Sequence, residues 1–162
     1  MKRVFFCIVI VIMVAGVGFS QSVDDWNWGG LVRFRPLATI VGLAVGGFEI
    51  VADWVPYVTP SIGIPIEIDI ISIAGITGFG IMGGIEAVPV RHKEKSGLYL
   101  TAVGGPLFIA QYVMFIARAN IGYQLVTNGG FVFTPAIGAK YNGLTGISLD
   151  LMLDIGFAYR KK

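Results

Sequence analysis

One segment near the C-terminus restricts the fold more than any other. From Ile147 to Tyr159 the odd positions are Ile147, Leu149, Leu151, Leu153, Ile155, Phe157 and Tyr159. Ser148, Asp150, Met152, Asp154, Gly156 and Ala158 alternate with them, so two carboxylates share one face. A period of two sustained over this length is the signature of a β-strand with one apolar and one polar side.

The alternation recurs. Val58, Pro60, Ile62, Ile64, Ile66, Ile68 and Ile70 form one set, against Thr59, Ser61, Gly63, Glu67 and Asp69. Val113, Phe115, Ala117, Ala119, Ile121, Tyr123 and Leu125 alternate with Arg118, Asn120, Gly122 and Gln124. Phe131, Phe133, Pro135, Ile137, Ala139 and Tyr141 alternate with Thr134, Gly138 and Lys140. Weaker versions run through Val32, Phe34, Ala38 and Ile40 against Arg33, Arg35 and Thr39, and through Phe48, Ile50, Ala52 and Trp54 against Glu49 and Asp53. Phe79, Ile81, Ile85 and Ala87 alternate with Gly78, Gly80, Met82 and Glu86. Leu98 to Leu107 is ambiguous, because both faces are small or apolar.

The solvent for the apolar faces follows from composition. The chain is 55% hydrophobic and only 14% charged, where a soluble domain carries about 25% charged residues. Little is left to cover a water-facing surface, which points to lipid and excludes disorder. A membrane domain satisfies every backbone polar group internally, so it is a helical bundle or a closed barrel. Leu98 to Ala117, uncharged throughout, is the best case for a spanning helix and keeps the bundle open as an alternative. The turn signals favour strands: Asn128-Gly129-Gly130 suits a hairpin, Arg91 to Gly97 is a charged loop, Asn142-Gly143 opens another, and Gly46-Gly47 and Pro56 break the early runs. The expected fold is all-β, a closed antiparallel transmembrane β-barrel of about eight strands.

Charge and aromatic placement agree with that fold. Arg33, Arg35, Glu49, Asp53, Glu67, Asp69, Glu86, Arg118, Lys140, Asp150 and Asp154 all fall on the less apolar parity and are expected to form a charge network in the lumen. On the lipid face an Arg or Lys would cost about 2–4 kcal/mol at the midplane. Trp26, Trp28, Trp54, Tyr57, Tyr99, Tyr123, Phe157 and Tyr159 gather near one rim and are expected to form an aromatic girdle. The opposite rim, with Phe108, Tyr112 and Tyr141, is thinner.

The first twenty residues read as a signal peptide. Lys2 and Arg3 precede an apolar run from Val4 to Val17, and Gly18 and Ser20 offer small side chains before Gln21. The expected organisation is thus a signal peptide over 1–20 and a barrel over 21–162. Loss of Lys2 and Arg3 takes the formal charge from +2 to zero, with no basic patch for nucleic acid. Cys7, the only cysteine, falls in the leader, so neither a disulfide nor a thiolate metal site is expected beyond it.

The leader, the strands and the final Asp154-Ile155-Gly156-Phe157-Ala158-Tyr159-Arg160 resemble the small OmpA/OmpX/OmpW-type outer-membrane barrels. Gly97-Leu98-Tyr99-Leu100 and Ile121-Gly122-Tyr123-Gln124 add to the likeness. The resemblance implies a bacterial outer-membrane location, lipid as the main partner and assembly by the barrel-assembly machinery. Such barrels usually end on an aromatic residue that the machinery reads, whereas here Arg160-Lys161-Lys162 follow Tyr159.

Candidate sites are few. Gly78, Gly80 and Gly83 fit a dinucleotide fingerprint as text, but they sit inside an alternating segment rather than between strand and helix. Small residues facing a narrow lumen explain them better. His92, the only histidine, lies in the charged turn Arg91-His92-Lys93-Glu94-Lys95 and reads as a solvated turn residue. No catalytic, cofactor or metal site is expected. The lumen charges read first as a plug of ion pairs, and second as a narrow cation-preferring path, since seven carboxylates outnumber four bases. The turns away from the aromatic rim are short, leaving little for recognition of a partner. The expected function is a non-enzymatic outer-membrane protein with a structural or narrow-pore role. The alternatives are a polytopic helical inner-membrane protein, such as a small transporter subunit, and a lipid-modifying enzyme using His92.

Overall fold

The computed structural model describes residues 28–44, 46–89, 91–92, 96–127, 129–143 and 145–160. The expected signal peptide and Trp26 lie outside them. Eight long strands carry the fold: β1 (Trp28–Phe34), β2 (Gly47–Thr59), β3 (Ile66–Ile73), β4 (Ile76–Ala87), β5 (Ser96–Ile109), β6 (Tyr112–Val126), β7 (Phe131–Asn142) and β8 (Gly146–Arg160). Each pairs antiparallel with its neighbour in sequence, and β8 pairs with β1 to close the sheet. Two-residue bridges at Ile62–Gly63 and Arg91–His92 extend the connections at the rim that holds the start of β1 and the end of β8. We call this the terminal rim and the other the distal rim. One helix, α1 (Pro36–Ala44), joins β1 to β2 at the distal rim.

The pairing register fixes the barrel's shape. A path that crosses the ladders from Val32 passes through Trp54, Ile66, Gly83, Gly104, Ala117, Tyr141 and Ile147. Continuing the β8–β1 register, in which Ile155 faces Phe34, the path returns to β1 at position 42, ten residues beyond its start. Eight strands with that stagger, at ordinary strand spacing and rise, tilt about 40° from the axis and enclose a backbone cylinder of radius about 8 Å. A cylinder that narrow is filled by its own side chains.

The alternation sorts the residues as the sequence predicts. Val32, Phe34, Ile50, Trp54, Ile66, Ile68, Phe79, Ile81, Phe115, Ile121, Ile137, Leu149, Leu151 and Phe157 are exposed on the outside. Inside, Leu31, Val55, Tyr57 and Val132 form an apolar layer near the terminal rim. Met82, Val103, Leu107 and Ile116 form a second apolar cluster on the β4–β6 wall. Gly78 and Gly80 face this side, where side chains at those positions would run into Ile109 and Leu107, so these two glycines make room for the core.

Three expectations about segmentation need correction. Pro56 does not end the early run; β2 passes through it to Thr59, with the pairing irregular between Tyr57 and Thr59. A residue without an N–H is tolerated beside such a break in the ladder. The Val58–Ile70 run keeps its parity but belongs to two strands, divided by a turn at Pro60 and Ser61. The Val32–Ile40 run is strand only to Phe34, because Pro36 locks φ and removes a ladder donor while being well suited to a first helical turn. Leu98–Ala117, the best case for the helical alternative, is a hairpin, as the eight-strand reading requires: Ala110 adopts φ 49° in a two-residue turn between β5 and β6. The equivalent turn between β3 and β4 places Ala74 and Gly75 at φ 52° and 81°, the left-handed pair whose twist matches a tight hairpin.

If the outer face meets lipid, Ile137→Arg at the middle of β7 destabilises the barrel by about 2–4 kcal/mol in vesicles. Urea titration of folding would measure this. A change below about 0.5 kcal/mol, typical of a water-exposed surface, would remove the lipid-facing assignment.

Candidate functional site: the charged lumen

Arg33, Arg35, Glu49, Asp53, Glu67, Asp69, Glu86, Arg118, Lys140, Asp150 and Asp154 all turn into the barrel, and all but Asp150 form one connected set of ion pairs, joined by Arg33 Nε at 3.9 Å from Asp154 Oδ2. Strand register explains why so many charges must cross the lumen. Asp53 and Glu67 lie directly opposite each other on β2 and β3, and Arg118 and Lys140 do so on β6 and β7. Like charges in facing positions repel; Asp53 is answered by Arg33, its register partner on β1, whereas Glu67, Arg118 and Lys140 find counter-charges on strands that are not their neighbours.

Arg33 supplies the first. Its Nη2 donates to Asp53 Oδ2 at 2.6 Å and to Glu86 Oε2 at 2.6 Å, its Nη1 donates to Gln124 Oε1 at 3.4 Å, and its guanidinium sits 5.3 Å from the Tyr99 ring centroid. Arg35 donates from Nε to Asp154 Oδ1 at 2.9 Å and from Nη2 to Glu67 Oε2 at 3.2 Å. Arg118 reaches Glu67, Asp69 Oδ2 at 2.8 Å and Glu49 Oε1 at 3.0 Å. Lys140 Nζ donates to the same Glu49 oxygen at 3.1 Å. Because each guanidinium presents several donors in a fixed fork, three arginines serve most of the carboxylates.

Asp150 is held differently. Asn120 Nδ2 donates to Asp150 Oδ2 at 3.0 Å across the intervening strand β7. The residue between them in register is Gly138, where a Cβ would stand 2.2 Å from Asn120 Oδ1. A glycine is thus required for this contact to form.

Burial grades the network. Arg33, Arg118, Glu67, Glu86, Asp69 and Asp154 are almost wholly buried, whereas Glu49 and Lys140 each keep 19% of their side-chain surface at the distal mouth. Arg35 Nη1, Arg118 Nε, Asp69 Oδ1, Asp154 Oδ2, Asn120 Oδ1 and Thr134 Oγ1 have no hydrogen-bond partner among the described residues. An incompletely satisfied network contributes specificity of register more than net stability.

The aromatic girdle is smaller than expected. Trp54, Tyr123, Phe157 and Tyr159 lie outside near the terminal rim, with Trp54 Nε1 donating to Tyr159 Oη at 2.7 Å and Phe157 edge-on to Phe131. Trp28 opens β1 at that rim. Tyr57 and Tyr99, assigned to the girdle from the sequence, are buried in the lumen. Tyr57 donates its hydroxyl proton to Glu86 and accepts from Gln124 Nε2, and Tyr99 packs under Arg33. Parity carried the signal for Tyr57, which is odd in a run whose even residues face out. Tyr99 lay in the ambiguous strand and becomes legible only through its pairing with Gly122.

His92 sits in the short Arg91–His92 bridge paired to Ser96 and Gly97. Among the described residues, no cluster of metal-ligating side chains occurs. Comparison with known protein families, with curated proteins and with solved structures finds no match.

Arg118→Ala would leave Glu67, Asp69 and Glu49 short of a counter-charge and should cost about 3–5 kcal/mol. Lys140→Ala, at the wetter mouth, should cost about 1 kcal/mol or less. Equal losses in denaturant titrations of the two variants would contradict the graded burial of the network.

Proposed function

We propose that this chain is an integral barrel of the bacterial outer membrane with a structural role, its lumen shut by ion pairs and its action non-catalytic. The observation that carries the reading is the reversal of ordinary surface chemistry: isoleucine, leucine and phenylalanine cover the outside of the strands while the charges are internal. In water that arrangement would expose an apolar belt on every side of the molecule. In a bilayer it is the required one, because the ladder satisfies the strand backbones from within over all but the distal stretch between β8 and β2.

No helix among the described residues is long and apolar enough to cross a membrane, and the eight-stranded barrel argues against the polytopic helical alternative. The lumen charges are engaged with one another, so we assign them to holding the wall strands in register and not to turnover. Closure at two levels favours a structural role over a pore: the Leu31, Val55, Tyr57 and Val132 layer backs the ion pairs on the terminal side. The distal connections between β3 and β4 and between β5 and β6 are two-residue turns, too small to form a recognition surface.

The test is to fractionate cell envelopes and to reconstitute the purified chain in planar bilayers. The expected result is outer-membrane partition, heat-modifiable migration on gels and no stepwise conductance in molar salt. Sustained cation-selective steps would replace the structural role with the narrow-pore reading. Inner-membrane partition would overturn the location.

A further inference from the structure

The ladder that closes the barrel is incomplete at the distal rim. β1 pairs with β8 only as far as Phe34–Ile155 and with β2 only as far as Phe34–Ala52. Beyond that point β8 continues from Asp154 to Gly146 and β2 from Val51 to Gly47, and among the described residues each is paired on its far side alone. A vacant strand position therefore lies in the wall between them. Because Arg35 N donates to Val51 O at 2.9 Å, odd residues of β1 direct their backbone groups to β2 and even ones to β8. The backbone groups of Leu149, Leu151 and Leu153 consequently face the vacant position.

Helix α1 occupies that region, packing on β2 and in part on β8. Thr39 Oγ1 donates to Glu49 O at 2.7 Å, standing in for a ladder bond on the β2 edge. A segment that leaves the ladder inside lipid is best kept helical, since a helix satisfies its own backbone. Yet the sequence of α1 is poorly suited to a helix: Thr39, Ile40 and Val41 are consecutive β-branched residues. Continued as a strand, the same segment would set Ala38 opposite Leu151, Ile40 opposite Leu149 and Val41 opposite Ser148, with the outward parity apolar. Only Pro36 lacks a donor in that arrangement.

We infer that residues 36–44 form a two-state wall segment, helical in this structure and able to enter the vacant position as a continuation of β1. The strand form completes the ladder. The helical form leaves the ladder incomplete beside Glu49, Lys140 and Asp150, the half-buried polar groups of the distal mouth.

Two cysteine pairs in the full chain carrying Cys7→Ser test this: Ala38→Cys with Leu151→Cys, and Val41→Cys with Ser148→Cys. Positions 38 and 41 share one helix face about 4.5 Å apart along the axis. In a strand they point to opposite sides about 10 Å apart, matching 151 and 148 on β8. Each variant is first checked for heat-modifiable migration in lipid vesicles, so that misfolded chains are set aside, and is then oxidised. Disulfide formation in both pairs, with none in the off-register pair Val41→Cys with Leu149→Cys, is the expected result. Cross-linking of neither pair, or of one alone, in folded barrels would overturn the inference.

Discussion

Every strand in this barrel depends on one constraint, that the backbone ladder must return to its starting strand. The return is staggered by ten residues, and eight strands with that stagger have essentially one radius and one tilt. At a radius of about 8 Å, opposite walls lie within reach of arginine and glutamate side chains. This is why Arg118 on β6 can hold Glu67 and Asp69 on β3, and why Arg33 on β1 can join Asp53 on β2 to Glu86 on β4. A wider barrel would leave the same groups unpaired, and a flatter sheet would not bring them together. Charge pairing in the lumen is thus a consequence of ladder geometry, and it in turn ties non-adjacent strands together.

The parity of side chains was the legible part of this fold. Asp150 and Asp154 on one face of β8, or Arg118 among the apolar residues of β6, could be placed inside from sequence alone, because a period of two admits two faces and charge tolerates only one. Strand ends were less legible, since they depend on long-range pairing. Pro56 reads as a breaker in isolation but is accommodated beside an irregularity in the ladder, and Pro36 ends β1 although the alternation continues to Ile40. Which carboxylate meets which arginine was not legible at all, because it depends on the stagger accumulated over eight ladders. The same holds for Gly138, whose need is set by Asn120 and Asp150 on the strands to either side.

The interior is organised in levels, with an apolar layer at the terminal rim, a buried network in the middle and half-wet charges at the distal mouth. That gradient assigns different work to chemically similar residues. Arg33 and Arg118 hold the wall, while Lys140 meets the solvent side of the same network. The break in the wall beside α1 lies at the wet end, so an opening there would expose the mouth and leave the buried pairs in place.

Polarised infrared spectroscopy of the chain in oriented bilayers tests the central claim most directly, because one spectrum reports both strand content and strand direction. A closed eight-stranded barrel with a ten-residue stagger predicts a β-dominated amide I band whose dichroism corresponds to a tilt of about 40° from the membrane normal. A helix-dominated band, or strands lying in the plane of the bilayer, would contradict it.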